Sequence, residues 1–235
     1  MLSAPKKILI VLTNHSEYPN RNDATGLWLT ELTHFLEKAE QAGFETTFTS
    51  PLGGNVPLDE RSLGWLYMDR SARSYLNDEI FQARLNNTPA ADEVDPTEFD
   101  AIYFTGGHGV MWDFRDNPPL KNVAETIYRN GGVVSAVCHG VAGLINLEDA
   151  TGNPLIQNRN LTGFSNREEL LSGLKDDVPF LLEDELNKKG ARYQSSWIPF
   201  IPHAITDGRL VTGQNPSSAK AVADRVIALL KAENL

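Results

Sequence analysis

Residues 132–140 read Gly-Val-Val-Ser-Ala-Val-Cys-His-Gly. The apolar, β-branched run is that of a strand buried on both faces, the kind found inside a parallel sheet. It stops at the thiol of Cys138, which is followed by the imidazole of His139 and by Gly140, with Ala136 two residues ahead of the thiol. Small residues two positions to either side of a nucleophile suit a sharp strand-to-helix turn, where larger side chains would collide. Such a turn lifts the nucleophile to the carboxyl edge of a sheet and aims backbone N–H groups of the next helix at it. The partial positive charge of that helix start is expected to favour thiolate over thiol. A free cysteine is more often a small buried apolar residue; here the elbow spacing favours a reactive one.

Working outward from the elbow, residues 7–12 (KILIVL) and 99–104 (FDAIYF) are further short apolar runs that read as buried strands. After a polar loop over 13–25, Leu27, Leu29, Leu32, Phe35, Leu36 and Ala39 recur mostly at three- and four-residue intervals up to Gly43, the pattern of a helix with a glycine stop. A strand over 44–50 completes strand–helix–strand within the first 50 residues. Residues 51–69 begin with a Gly and Pro cluster and read as a long surface loop covering part of the site. Helices are predicted over 73–86, 118–130, 167–174, 180–189 and 217–231, and short strands within 155–164 and over 209–212. Repeats, linkers and low-complexity segments are lacking in the sequence. These features predict an α/β fold in one domain over 1–235: a doubly wound, mostly parallel sheet flanked by helices, flavodoxin-like, with a nucleophile elbow.

The 235 residues suffice for one large core, and 41% hydrophobic and 22% charged residues are ordinary for a globular chain. A net charge of −10 weighs against nucleic-acid and anionic-membrane partners, which need clustered Lys and Arg. A single cysteine excludes an intramolecular disulfide. Two lysines at the start precede an apolar run too short for a signal peptide or a membrane span, so cytoplasm is the expected compartment.

Three places gather reactive groups. Beside Cys138-His139, the segment Gly106-Gly107-His108-Gly109 follows a strand, and its glycines let a backbone N–H approach a substrate oxygen closely. It reads either as a tight turn or as half of an oxyanion hole, in which the N–H groups of Gly107 and His139 meet the developing charge. His108 and Trp112 in the same segment are candidates for the substrate pocket, the ring of Trp112 as a wall. Carboxylates are the third group. By helical periodicity alone Glu31 belongs to a solvated face, and Glu168 and Glu169 read equally as first-turn residues favoured by a helix dipole. His15, His34 and His203 lack metal-ligand spacing, and the glycines at 106–109 do not make G-x-G-x-x-G, so neither a metal nor a dinucleotide is indicated.

Taken together, these stretches resemble the PfpI superfamily, with its class I glutamine amidotransferase-like fold, and within it the glutathione-independent glyoxalase III and heat-shock chaperone branch. The likeness is carried by KILIVLT at 7–13, Thr25-Gly26 before the Glu31 helix, Gly106-Gly107-His108-Gly109 with Asp113, and AVCHG at 136–140. It continues in LTGFS at 161–165 before Glu168-Glu169 and in TDGRLVTGQNP at 206–216. The resemblance implies Cys138 as nucleophile, His139 as its imidazole, and Glu31 as the carboxyl that hydrogen-bonds the nucleophile. Glu169 would be the third triad member, or Glu168 if the register slips by one. Glutaminase domains of this fold place His-x-Glu or His-x-Pro-Glu far downstream of the cysteine. Here His203 is followed by Ala204-Ile205-Thr206, which disfavours amidotransfer. The implied activity converts methylglyoxal and related 2-oxoaldehydes to 2-hydroxy acids through a Cys138 hemithioacetal, without a cofactor. Its alternatives are a stress chaperone that binds unfolded proteins, a redox sensor using an oxidisable Cys138, and a cysteine hydrolase or deglycase. A homodimer is expected from the resemblance.

Overall fold

The computed structural model describes residues 5–232. Residues 1–4, where the N-terminal reading begins, and 233–235 lie outside the described residues. Strand β1 (Lys7–Val11) leads through helix α1 (Leu29–Gln41) to β2 (Glu45–Thr49). Helices α2 (Arg70–Leu76) and α3 (Glu79–Asn86) precede β3 (Ala101–Phe104). The chain then passes through the one-turn helix α4 (Val110–Asp113) and α5 (Pro118–Arg129) to β4 (Val133–Val137). An excursion carries β5 (Asn160–Leu161), α6 (Asn166–Ser172), α7 (Leu182–Lys188) and β6 (Arg192–Tyr193). The chain returns as β7 (Ala204–Asp207), β8 (Leu210–Gly213) and α8 (Ala219–Ala232).

The main sheet has the order β2-β1-β3-β4-β8-β7, parallel except where β7 runs antiparallel beside β8. This is the mostly parallel, helix-flanked arrangement expected from the apolar runs. In β3, β4 and β8 every residue is buried, which is why their sequences do not alternate. Strand order reverses between β1 and β3, the place where open α/β sheets form a crevice at their carboxyl ends. The register sets Val11 beside Phe104 and Phe104 beside Ala136, so the segments leaving β1, β3 and β4 emerge at one edge. Helix α1 packs against α8, and α5 packs on β3 and β4. No helix among the described residues is long and apolar enough to cross a membrane.

Two local expectations change. The helix expected over 73–86 is two helices, because Asp69 and Asp78 each cap a helix start, accepting from Ala72 N–H and Phe81 N–H at 2.9 and 2.7 Å. The half-buried edge strand β7 and the two-residue β6 are additions, for which the sequence shows no long apolar run.

The elbow is real in backbone terms. Cys138 has φ of +56°, the left-handed region, which costs a residue with a side chain about 1–3 kcal/mol and persists only where the surroundings enforce it. A Cβ on Gly140 would stand 2.3 Å from the carbonyl oxygen of Thr105, so the turn closes only with a hydrogen there. Gly140→Ala is therefore expected to lower stability by about 1–3 kcal/mol through overpacking. Thermal unfolding of the variant beside the parent checks it, and an unchanged midpoint would show that the turn can shift to accommodate a methyl group.

Candidate active site

Cys138 leaves β4 into a 3-10 turn (Cys138–Leu144) whose residues are all buried. Its sulfur opens on a cavity of 490 Å³ whose lining includes Gly107, His108, His139, Phe164 and Arg61. The sulfur lies 3.3 Å from Nδ1 of His139, and Nε2 of His139 lies 2.7 Å from Oε2 of Glu169. Glu169 reaches this point from the first turn of α6, which starts where Ser165 and Glu168 cap one another's backbone N–H groups. Cysteine, imidazole and carboxylate thus form a continuous line. Glu168 does something else: Oε1 accepts from Phe200 N–H at 2.8 Å and from Nδ2 of Asn215 at 2.9 Å, while Oε2 accepts from Ser165 N–H and its hydroxyl.

The other oxygen of Glu169 has a partner that no sequence motif signals. Oε1 lies 2.8 Å from Nε2 of His108, whose Nδ1 lies 3.2 Å from Nη2 of Arg61. An ionised carboxylate can only accept, so Nε2 of His108 carries the hydrogen given to Glu169, and Nδ1, facing the guanidinium, is the unprotonated nitrogen of the neutral ring. Arg61 in turn grips Asp59, with Nε donating to Oδ1 at 3.0 Å and Nη2 to Oδ2 at 2.6 Å, and Nη2 also donates to the Tyr18 hydroxyl. Burial, followed by the charge that His139 would carry when protonated, lowers His108 to about 4, so it is neutral near pH 7. Burial alone would raise Glu169, but the charge that His139 carries once protonated and the hydrogen bonds from both imidazoles hold it well below the ordinary carboxylate range.

Glu31 is fully buried in α1, not on a solvated face, with its carboxyl against Gly106 and Cys138. Oε2 accepts from Gly106 N–H at 2.7 Å, and Oε1 is buried with no hydrogen-bond partner. A Cβ on Gly106 would stand 2.6 Å from that carboxyl, so the glycine makes room for the acid. Burial raises Glu31 to about 8, against the opposing pull of Cys138 and of the Gly106 N–H. The carboxyl is therefore largely protonated near neutrality.

The sequence expectation of a helix-acidified thiol needs correcting. Burial first, then the charge that Glu31 would carry, push the Cys138 thiol well up, and the His139 backbone N–H aimed at the sulfur only partly offsets them. A short buried 3-10 turn carries too small a dipole to overcome desolvation. The resting sulfur is a thiol, and His139 is the base placed to take its proton.

Trp112 does not wall the cavity. Helix α4 is one turn long, and it lays the Trp112 ring on His15 at 4.7 Å and edge-on to Tyr18 at 5.7 Å. Trp28, Tyr67, Phe164 and Phe200 line the cavity instead. Gly107 lines it as well. Phe164 packs against His139 at 4.2 Å between ring centroids. His203 is not part of the lining; its backbone N–H donates to the Ser218 hydroxyl. His34 pairs with Asp69 at 2.8 Å. Among the described residues, His108, His139 and Glu169 form one cluster whose ligand atoms lie within 4.8 Å, close enough for a metal ion. Both Glu169 oxygens already accept from the two rings, and a cation there would replace those hydrogen bonds.

The family model described as DJ-1/PfpI family matches residues 29–229, a span holding Glu31, Cys138, His139 and Glu169. The chain belongs to the DJ-1/PfpI family. It is 36% identical to the glutathione-independent glyoxalase HSP31 of Saccharomyces cerevisiae over 97% of this chain and 99% of the relative. It is 34% identical to glyoxalase 3 of Candida albicans over 94% of this chain and 97% of the relative. The crystal structure of glyoxalase III from Candida albicans superposes with a TM-score of 0.88 at 33% identity, covering 95% of this chain and 96% of that one. The Rapid Encystment Protein of Francisella tularensis superposes with a TM-score of 0.91 at 39% identity, covering 96% and 99%.

The raised Glu31 gives a signed pH dependence. A folded pKa of about 8 against an unfolded value near 4.5 adds stability that is full below about pH 4.5 and is lost as pH rises through 8. Glu31→Gln is expected to flatten that decline, and the difference between variant and parent stability should change by a few kcal/mol between pH 5 and 9. Denaturant unfolding at several pH values measures it; parallel curves would mean that Glu31 is ionised in the native protein.

Proposed function

We propose that the chain is a glutathione-independent glyoxalase III-type enzyme, a lyase that converts methylglyoxal and related 2-oxoaldehydes to 2-hydroxy acids. The observation that carries the reading is a thiol 3.3 Å from an imidazole, with a buried carboxyl of raised pKa directly beneath. Names borne by relatives across nearly the whole chain support the substrate class.

His139 Nδ1 takes the thiol proton as Sγ of Cys138 attacks the aldehyde carbon. A C–S bond forms, the carbonyl π pair moves to oxygen, and the N–H groups of Gly107 and His139 meet that oxyanion. Protonation gives the hemithioacetal, with the adjacent ketone intact. A base, His139 or ionised Glu31, then removes the hydrogen from the former aldehyde carbon, and the electrons pass through an enediolate towards the ketone oxygen. Reprotonation at the former ketone carbon gives the 2-hydroxy thioester. Protonated Glu31, with Oε1 free of other partners, is suited to supply a hydrogen bond to sulfur and then a proton. Water cleaves the thioester, releasing the 2-hydroxy acid and restoring the thiol. One carbon is oxidised as its neighbour is reduced, so no external redox cofactor is needed.

The anionic Glu169 holds the His139 ring with Nε2 protonated, leaving Nδ1 for the sulfur. Neutral His108 occupies the second carboxylate oxygen and stops the carboxylate from turning away. His108 therefore acts through Glu169 as a positioning residue.

Cys138→Ala should abolish lactate formation from methylglyoxal while near-UV circular dichroism stays that of the parent; activity within tenfold of the parent would remove the covalent step. Glu31→Gln should lower kcat by about 10²–10⁴, the range for a lost general acid–base group. Steady-state kinetics measures it, and a normal kcat would leave the proton transfers to His139 alone.

A further inference from the structure

Three independent features meet at the mouth of the cavity. The first is size. At about 30 Å³ per heavy atom, the share of a water in the liquid, the five heavy atoms of methylglyoxal take up roughly 150 Å³. The cavity holds 490 Å³.

The second is where the exposed apolar surface lies. Apart from Leu52 and Ile80, every exposed large apolar side chain among the described residues falls within 63–67, 170–171 or 197–201. Each of those segments sends one side chain into the cavity lining: Tyr67, Leu171 and Phe200. Surface of this kind is atypical of a solvated face and marks a place where something apolar binds. Tyr67, Leu171 and Phe200 are the members of this apolar surface that a molecule reacting at Cys138 would touch.

The third is strain. Phe200 has φ of +62°, an unfavourable conformation for a bulky side chain. Its N–H is held at 2.8 Å by the fully buried carboxylate of Glu168, which Asn215 and Ser165 also grip. A buried acid that fixes one strained aromatic at a cavity wall is a built feature. The ring of Phe200 lies 6.2 Å from that of Phe164, which in turn packs on His139.

Charge defines the rest. Apart from the two histidines, Arg61 is the only lining residue with an ionisable cationic side chain, and its guanidinium is already paired with both oxygens of buried Asp59. An anionic substituent would find no unpaired cation there.

Resting on the glyoxalase reading, we propose that the cavity contains a neutral aromatic subsite, walled by Trp28, Tyr67, Phe164 and Phe200, that takes the substituent of aryl-substituted 2-oxoaldehydes. Phe200 and Tyr67 are its specificity-determining residues. Phenylglyoxal, with ten heavy atoms and roughly 300 Å³ on the same scale, fits the space that methylglyoxal leaves empty.

The test measures kcat/KM of the purified protein for glyoxal, methylglyoxal, phenylglyoxal and a 2-oxoaldehyde ending in a carboxylate, following 2-hydroxy acid formation. Phenylglyoxal should exceed glyoxal at least tenfold, and the carboxylate-bearing aldehyde should be the poorest of the substituted ones. In Phe200→Ala, and separately in Tyr67→Ala, the phenylglyoxal-to-methylglyoxal ratio should fall at least fivefold. Two variants are used because Phe200→Ala also relaxes a strained loop. Glyoxal equal to or better than phenylglyoxal, or a ratio unchanged in both variants, overturns the subsite while the glyoxalase reading stands. No turnover of any 2-oxoaldehyde overturns both. A dimer in sedimentation that Tyr67→Ala dissociates, with the ratio unchanged, would reassign the apolar segments to a second copy and overturn the subsite as well.

Discussion

The site depends on one backbone twist, the left-handed turn at Cys138. Parallel β4 delivers the chain to the sheet edge with every residue buried, and the next residue must turn at once or continue into solvent. A positive φ makes the turn, and hydrogen in place of a side chain at Gly140 lets it close against Thr105. The same twist sets the sulfur above Glu31 and sends His139 to the sulfur's flank. A residue that relaxed to ordinary backbone angles would keep the sheet and lose the line from thiol to carboxylate. The cost of about 1–3 kcal/mol is small against the burial of β4 and its two neighbours, β3 and β8, which is why the fold can hold it.

Around that turn, the remaining parts come from segments far apart in the chain. The loop before α2 gives Asp59, Arg61 and Tyr67; α6 gives Glu169; the stretch before β7 gives Phe200. They converge because β1, β3 and β4 end level with one another, so every segment leaving that edge crosses the same crevice. The polar half of the cavity is linked through hydrogen bonds from Asp59 through Arg61, His108 and Glu169 to His139. The aromatic half has no such chain and is shaped by packing and by the Glu168 clamp.

The strands were legible because burial on both faces writes itself as an unbroken apolar run, as in KILIVL, FDAIYF and VVSAV. Cys138 was legible because the turn demands small neighbours at fixed spacing. Glu31 was not: helical periodicity reports which face is polar, and one carboxyl turned inward looks like noise in that pattern. Family likeness, not periodicity, pointed to it. Arg61 and Asp59 lay in a stretch without period, and nothing local ties that loop to His108, 47 residues downstream. Trp112 misled because it follows Gly-Gly-His-Gly directly, yet a single helical turn was enough to lay it on His15, leaving the wall to Trp28. Sequence neighbours share a segment, whereas cavity neighbours share an edge of the sheet.

Glu31 and Glu169 show how one functional group is divided between two tasks. Both are almost completely buried, and burial by itself raises both. Glu31 meets a single backbone N–H and a sulfur, neither of which carries positive charge, so desolvation prevails and the proton stays on to about pH 8. Glu169 meets two ring N–H donors, one of them on the imidazole that becomes positive when it takes the thiol proton, so the anion prevails. Two acids separated by their partners in this way can serve opposite roles at one pH, one as proton donor and one as fixed anion. Exchanging their surroundings would exchange their roles: a donor placed at Oε1 of Glu31 would ionise it beside the sulfur, and two anions in one apolar floor would repel the very thiolate the reaction must form.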